Sequence, residues 1–443
     1  MQYTSSNIRF FHGICLLLAL SCSAAWGAGG GPAPGSLDGT FGSGGKVITD
    51  LGNAYEYGTG VAVQTDGKIV VVGSVSATNT FDHNLAVVRY TAAGILDGGF
   101  GSNGVTIIPL GATYSPKCSV VIQSNGGIIV GCSTSSNSSA FSSTINRLTS
   151  TGAVDSNFGS NGVVTTDINI QGIGLQSGQI IIGGIYAAGN GSNYDFAAAR
   201  YTPSGVLDTS FGTNGLVTAD FNSTLDYALA MSIGPNNEVV VSGFSYQSNT
   251  GEDFAIARFT SSGVLDTSFD GDGKITTNFG TTQIPATGER AYAVAVQADG
   301  KIVAVGDSSY GVMALVRYKA NGGLDATFDR DGKVTTTINN GARANAVVIQ
   351  ADGKIVVSGL AYTIVSDGGG GQAYLTDFAL VRYNSAGGRD TGFGNKGVVT
   401  TQFPGRYAQA NALALQTNGK IIAAGAGSNN LNYTDFAAVR YLP

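Results

Sequence analysis

Residues Ala295–Phe328 read AVQADGKIVAVGDSSYGVMALVRYKANGGLDATF, and close variants of this stretch recur along the chain. Two marks count the copies. An acidic turn appears as LDGTFGSGG, LDGGFGSNG, VDSNFGSNG, LDTSFGTNG, LDTSFDGDG, LDATFDRDG and RDTGFGNKG, with its aspartate at Asp38, Asp97, Asp155, Asp208, Asp266, Asp325 and Asp390. An arginine closes an apolar run at Arg89, Arg147, Arg200, Arg258, Arg317, Arg382 and Arg440. Both marks occur seven times, and the aspartates lie 53 to 65 residues apart. A period of that length marks a repeat architecture in which each unit is one supersecondary element.

Within a unit the pattern is that of short strands. In the fifth repeat they span 291–297, 301–306, 313–318 and 333–337, each rich in Val, Ile, Ala and Tyr and bounded by Gly, Asp or Asn. These are strand signals, and no window carries a 3.6-residue apolar stripe. The first two strands are joined by QADGK or QTDGK, which suits a type I turn followed by a left-handed glycine and so an antiparallel hairpin. Four antiparallel strands repeated seven times predict an all-β, seven-bladed β-propeller. A linear β-solenoid is the rival, with repeats usually much shorter than these.

Polarity orders the strands. The first (AYAVAVQ, ANALALQ) is small and apolar, as the crowded wall of a central channel requires. The last (KVTTT, KITTN) is polar and β-branched, which suits an outer edge. The chain then begins with an outer strand at 46–50 and ends with a third strand at 435–441. The N-terminal strand is expected to complete the seventh blade and close the ring, a clasp that removes two free edges.

Runs such as VAVQADGKIVAVG, DFAIARFTSSGVLDTSFDGDGKITT and DFALVRYNSAGGRDTGFG resemble the delta-60 repeats of bacterial exported proteins, with blade spacing similar to that of NHL-type propellers. The resemblance covers 37–443. It implies the propeller fold and an extracytoplasmic setting, and it brings no established activity or catalytic residues.

Composition narrows the function. Charged residues make up 12% of the chain, 67 residues are Gly, and the net charge is −6. Lys and Arg are spread through the repeats, so the basic stripe of a nucleic-acid binder is absent. At the N-terminus, Arg9 precedes an apolar core from Ile14 to Leu20, and Ala25-Trp26-Gly27 supplies small residues at signal-peptidase spacing. This predicts a signal peptide over 1–27, a Gly/Pro linker over 28–36 and the propeller over 37–443. An uncleaved anchor and lipidation at Cys22 are the alternatives, although the run is short for a bilayer span and Ala19-Leu20-Ser21 makes a poor lipobox. The mature chain carries no further membrane span and is expected to be a secreted, periplasmic or cell-surface monomer.

On one face of such a propeller the connections are nearly constant (QADGK, RYTxxGxLD). On the other they vary, from DSSYG at 307–311 to LAYTIVSDGGGGQAYLTDF at 360–378. Variation on one face of a repeat array marks a binding face. Tyrosines gather in or beside these variable loops, and Tyr55, Tyr57, Tyr186, Tyr194, Tyr246, Tyr310, Tyr362, Tyr374 and Tyr433 are the candidate ligand-binding residues. Tyrosine combines contact area with a hydroxyl at small entropic cost, which suits sugars or peptides. The plainer reading is that the rings pack between blades. The sixth repeat, with its insertion at 367–371, is the side a ligand is expected to favour.

The repeated arginines, six of them eight residues before a repeated aspartate, are expected to form a structural ladder. Asp270, Asp272, Asp329 and Asp331 resemble fragments of a calcium loop, but their counterparts read FGSNG and FGTNG and no bidentate Glu follows, so turn formation is expected there and no metal or other cofactor. His83 is the only histidine beyond the signal segment, which removes Ser-His-Asp and His-rich metal chemistry. Catalysis is not expected. A carboxylate enzyme on extracellular polysaccharide, using loop acids such as Glu56, Asp226, Glu252 or Glu289, is the alternative, and a purely structural envelope protein is the third class. The expected function is a scaffold for a carbohydrate, peptide or protein partner.

Cys118 and Cys132 remain in the mature chain. With Gln123 and Gly127 flanking the turn, positions summing to 250 face each other, which places the two thiols opposite at a non-hydrogen-bonded site. A disulfide is predicted there.

Overall fold

The computed structural model describes residues 31–53, 55–76, 83–112, 116–135, 141–188, 193–221, 225–280, 288–308, 311–366, 372–428 and 433–443. Residues 33–443 form one compact unit, apart from residues 1–32. All its regular structure is β-strand, in seven four-stranded antiparallel sheets. Blades 1 to 6 cover 55–112, 118–166, 169–219, 226–277, 290–336 and 341–401 in chain order. Blade 7 combines 408–441 with Lys46–Thr49, which pairs antiparallel with Asp435–Tyr441 from Lys46↔Val439 to Thr49↔Phe436. The expected closure by the N-terminal strand is therefore present.

The first strand of each blade is innermost, and these seven inner strands contact one another in an unbroken cycle. Second and third strands are almost wholly buried, as in Ile69–Ser76 and Met313–Tyr318. Each interblade layer fuses apolar faces of two neighbours, such as Val303, Leu315 and Phe328 of blade 5 with Val357, Ala379 and Tyr383 of blade 6.

The two sequence marks bolt the blades. Six of the seven arginines pair with the aspartate eight residues on, and Arg440 pairs with Asp38 from the N-terminal segment, all at 2.7 to 2.9 Å. Each guanidinium also lies over the phenylalanine of its acidic turn, 4.3 to 4.9 Å from the ring centroid. Where a tyrosine follows the arginine it reaches the outer strand of the preceding blade, as in Tyr318 Oη to Thr277 Oγ1 and Tyr383 Oη to Thr336 Oγ1, both 2.7 Å. The FDGDGK turns are turns: Asp270 and Asp329 adopt positive φ, and Asp272 Oδ1 accepts from Lys274 N at 2.9 Å.

Cys118 and Cys132 face each other in register and are disulfide-bonded, with Cα atoms 4.2 Å apart. No helix among the described residues is long and apolar enough to cross a membrane.

Candidate functional site

The site begins with an irregularity in the inner strands. In six blades the pairing of first and second strand slips by one residue, leaving Thr59, Gln171, Leu229, Tyr292, Asn345 and Asn411 without a partner. Such bulges bend a strand and re-aim a side chain, and here all six line the mouth of the central channel on the variable face. The residue facing each bulge is a glycine (Gly73, Gly184, Gly243, Gly306, Gly359 and Gly425), because a Cβ there would run into an inner-strand carbonyl. Blade 2 differs. Cys132 takes the glycine position, Cys118 pairs with it directly, and Lys117, just outside the strand, turns into the mouth instead.

The resulting cavity, about 500 Å³, is lined by Tyr57, Pro116 and Gln409 in addition to Lys117 and the six bulged residues. Amides bind the ring together: Asn411 Nδ2 donates to Gly58 O at 2.8 Å and Asn345 Nδ2 to Ala410 O at 3.2 Å. Lys117 Nζ donates to Leu229 O across the channel. Burial, with the positive Arg343 nearby, pushes the Lys117 ammonium down to about 8, so it stays mostly charged at neutral pH.

Beside the mouth, Arg290 pairs with Glu252 at 2.6 Å and lies over Phe244, while Arg343 lies over Tyr292 at 5.0 Å. Asp307 is close to both arginines. Burial nevertheless outweighs their pull and pushes its carboxyl up to about 6, and its Oδ1 has no hydrogen-bond donor.

A second cavity of about 330 Å³ opens between blades 6, 7 and 1. Tyr55, Tyr57, Tyr374, Tyr407 and Tyr433 line it, together with Arg406, which pairs with Asp377 at 3.5 Å. Tyr57 lines both cavities, which adjoin at its side chain. Its hydroxyl bonds Tyr407 and Thr434. Tyr374 is 61% exposed and its ring meets that of Tyr362 at 6.0 Å.

Of the nine candidate tyrosines, then, Tyr55, Tyr57, Tyr374 and Tyr433 come together, with Tyr362 behind Tyr374. Tyr194 is placed differently, in a packed row running Phe141, Tyr194, Tyr227 and Phe244 with centroids 5.2 to 5.4 Å apart. Tyr186 packs against the core of blades 2 and 3, and Tyr246 is exposed on blade 4, away from both cavities. Tyr310 and the insertion at 367–371 lie outside the described residues. The loop acids hold loops: Glu56 accepts from Leu51 N and Asn53 N at 2.9 and 3.0 Å, Asp226 from Phe221 N at 2.8 Å, and Glu289 from Phe279 N at 2.7 Å. Lys117 and the amides Gln171, Gln409, Asn345 and Asn411 carried no sequence signal except that each begins a small-apolar strand. The constant face has its own cavity, about 530 Å³ between blades 4 and 5, but Arg258 and Asp266 in its wall belong to the ladder.

Six segments, 64–100, 175–211, 234–269, 297–328, 350–393 and 416–443, match the model of DUF5122, a beta-propeller domain of unknown function. The second repeat, with its disulfide and unbulged inner strand, is the one without a match. No curated protein matches the chain. Among solved structures the chain is similar to the GH93 alpha-L-arabinofuranosidase of Fusarium graminearum in complex with arabinobiose, at 10% identity over 75% of this chain and 96% of that one, TM-score 0.45. It is similar also to a Dyadobacter fermentans protein of unknown function (10% identity, 90% and 97% covered, TM-score 0.43) and to a PL25 ulvan lyase bound to its saccharide (12% identity, 88% and 95% covered, TM-score 0.43). Likenesses of this degree say nothing of what the present chain binds. The repeated family matches and the seven-bladed ring together make this chain a β-propeller repeat protein.

Proposed function

We propose that the protein is an extracytoplasmic binding scaffold whose variable face holds a carbohydrate chain across the channel mouth and the adjoining tyrosine groove. The observation that carries this reading is that Tyr57 lines both an amide-bearing cavity and an aromatic one. Sugars present apolar C–H faces and hydroxyl edges together. Flat rings with hydroxyl tips match the faces, and fixed amides with one ammonium match the edges. The disulfide supports an oxidising compartment, where extracellular glycans are met.

The test is calorimetric titration with neutral and acidic oligosaccharides, on the natural chain and on Tyr374→Ala. Tyr374 is exposed, so the fold is expected to survive its truncation. Loss of one aromatic anchor is expected to weaken binding roughly tenfold, within the range of about 1 to 2 kcal/mol common for such contacts. Equal binding by Tyr374→Ala and Tyr433→Ala variants would remove the groove from the site.

Asp307 favours a second reading, an enzyme acting on the bound glycan. A carboxyl held at about 6 beside Tyr292 and two arginines is a group able to exchange a proton near neutrality. Release of reducing ends or unsaturated products from the same glycans, lost in Asp307→Asn, supports it. Binding without product rejects it.

A further inference from the structure

Where blades meet on the variable face, three side chains converge at a repeated register position. One precedes the phenylalanine that pairs with the end of the outer strand, one follows that outer strand, and one comes from the start of the next inner strand. Between blades 4 and 5 the first is Asp253, and it is met by donors, Asn278 Nδ2 at 2.9 Å and Thr250 Oγ1 at 2.8 Å. Between blades 6 and 7 it is Asp377, and the guanidinium of Arg406 occupies the slot. Both junctions thus neutralise or bond the repeated aspartate.

Between blades 3 and 4 the same positions are Asp195, Asp220 and Asp226, and their carboxylate oxygens lie within 4.8 Å of one another. Asp226 is fully buried, Asp195 is 7% exposed, and Asp220 opens to solvent and so gives an entry path. Oδ1 of Asp195 is buried without a hydrogen-bond donor. Lys274, the cation at this junction, is committed to the backbone carbonyl of Asp220 at 2.8 Å. Burial and repulsion from Asp220 and Asp226 raise Asp195 to about 6, a measure of how poorly the slot tolerates its own charge.

We infer that the slot between blades 3 and 4 binds a calcium ion, which takes the place that the Arg406 guanidinium takes between blades 6 and 7. The donors are all oxygens, which selects a hard cation, and three carboxylates completed by water suit the six to eight ligands of calcium at an open edge. Asp50, Glu56 and Asp435 form a like group between blades 7 and 1, with Glu56 held by the amides of Leu51 and Asn53 as Asp226 is held by that of Phe221. Oδ1 of Asp377 is also buried without a donor, but Arg406 pairs with that carboxylate, so the inference is confined to the slot between blades 3 and 4, where among the described residues no cation pairs with Asp195.

The experiment titrates CaCl2 into the chelator-stripped chain, followed by calorimetry and thermal melting. The natural chain is expected to melt at a temperature that rises with calcium concentration, since an ion bound only by the folded state stabilises it. Asp220→Asn copies the donor arrangement of Asn278. It is expected to weaken calcium binding at least tenfold and to melt higher than the natural chain when calcium is absent. Asp195→Asn, a second variant, is expected to behave alike. No calcium response in the natural chain overturns the inference, as does an equal response in both variants. A melting temperature that rises on acidification but ignores calcium also overturns it, because a shared proton then closes the slot.

Discussion

At the residue scale, the repeated arginine does three things at once. Arg317 pairs with Asp325 at 2.9 Å, lies over Phe328 at 4.5 Å, and reaches into the next blade to bond Ser385 O. Both partners of the pair are almost fully buried, 4% and 2% exposed. Burial alone would raise Asp325, but bonds from Thr327 and the charges of Arg317 and Lys301 outweigh it and hold the carboxyl at about 2. A carboxylate lowered in the folded state adds stability that is complete above its unfolded pKa, near 4, and is lost as the pH falls toward 2. Truncating Arg317 to Ala leaves Asp325 with the bonds from Thr327 and one cation, Lys301, 3.4 Å away. The expected cost is about 3 kcal/mol, the low end of the range for breaking a buried pair, because Lys301 offsets part of it. Urea denaturation measures it. The double variant Arg317→Ala, Asp325→Ala is expected to lose less than the single one, and a larger loss would mean that the ring stacking and the Ser385 bond matter more than the charge.

At the element scale, the four-stranded blade was legible because its signals are local. Turn glycines, alternating polarity and the Arg-to-Asp spacing sit within one repeat, and even the opposition of Cys118 and Cys132 followed from counting back from one turn. The bulges were harder to read. An alternating pattern does not reveal a slip of one residue, although the glycine kept in six second strands records the close approach that the slip causes, and Cys132 records its absence. The channel mouth was therefore missed, since its residues gather from seven blades and no sequence window holds two blades' worth. The tyrosines were recognised as a class but not sorted, because a ring beside a loop looks the same in sequence whether it packs, as Tyr194 does, or lines a groove, as Tyr374 does. The disulfide stands where a bulge would be, which gives its removal a definite consequence. Replacing both cysteines by Ser is expected to cost about 2 to 3 kcal/mol, from the loop-closure entropy of a 14-residue separation. Because Lys117 adjoins Cys118, the same variant is expected to weaken acidic ligands more than neutral ones. Unchanged denaturation midpoints for oxidised and Ser-substituted chains would contradict the stabilising part of this account.

At the scale of the whole molecule, closure concentrates stability in one short segment. Six blades use the loop after the third strand of the next blade as a clasp, for example Gly101 N to Thr151 O at 2.8 Å and Gly212 N to Ser262 O at 2.8 Å. At the junction of blades 6 and 7, Gly394 N bonds instead to Pro34 O at 3.0 Å. Residues 33–50 therefore supply a clasp, an acidic turn and an outer strand. Deleting them exposes the edge of Asp435–Tyr441 and strips Arg440 of Asp38, Thr40 and the ring of Phe41. An unpaired buried arginine costs about 3 to 5 kcal/mol, and the lost burial of Phe41 adds about 2 to 3 kcal/mol. Those terms approach the whole of a typical folding free energy, about 5 to 15 kcal/mol. A chain starting at residue 51 is therefore expected to lose its cooperative melt and to associate through the bare edge, which size-exclusion chromatography reads directly. A synthetic peptide of residues 33–50 added in trans is expected to restore both the monomeric elution and the melt, because it resupplies the strand pairing and the Arg440 partners that the deletion removes. A monomeric, cooperatively melting deletion chain would mean that the inner cycle of strands holds the ring without its clasp.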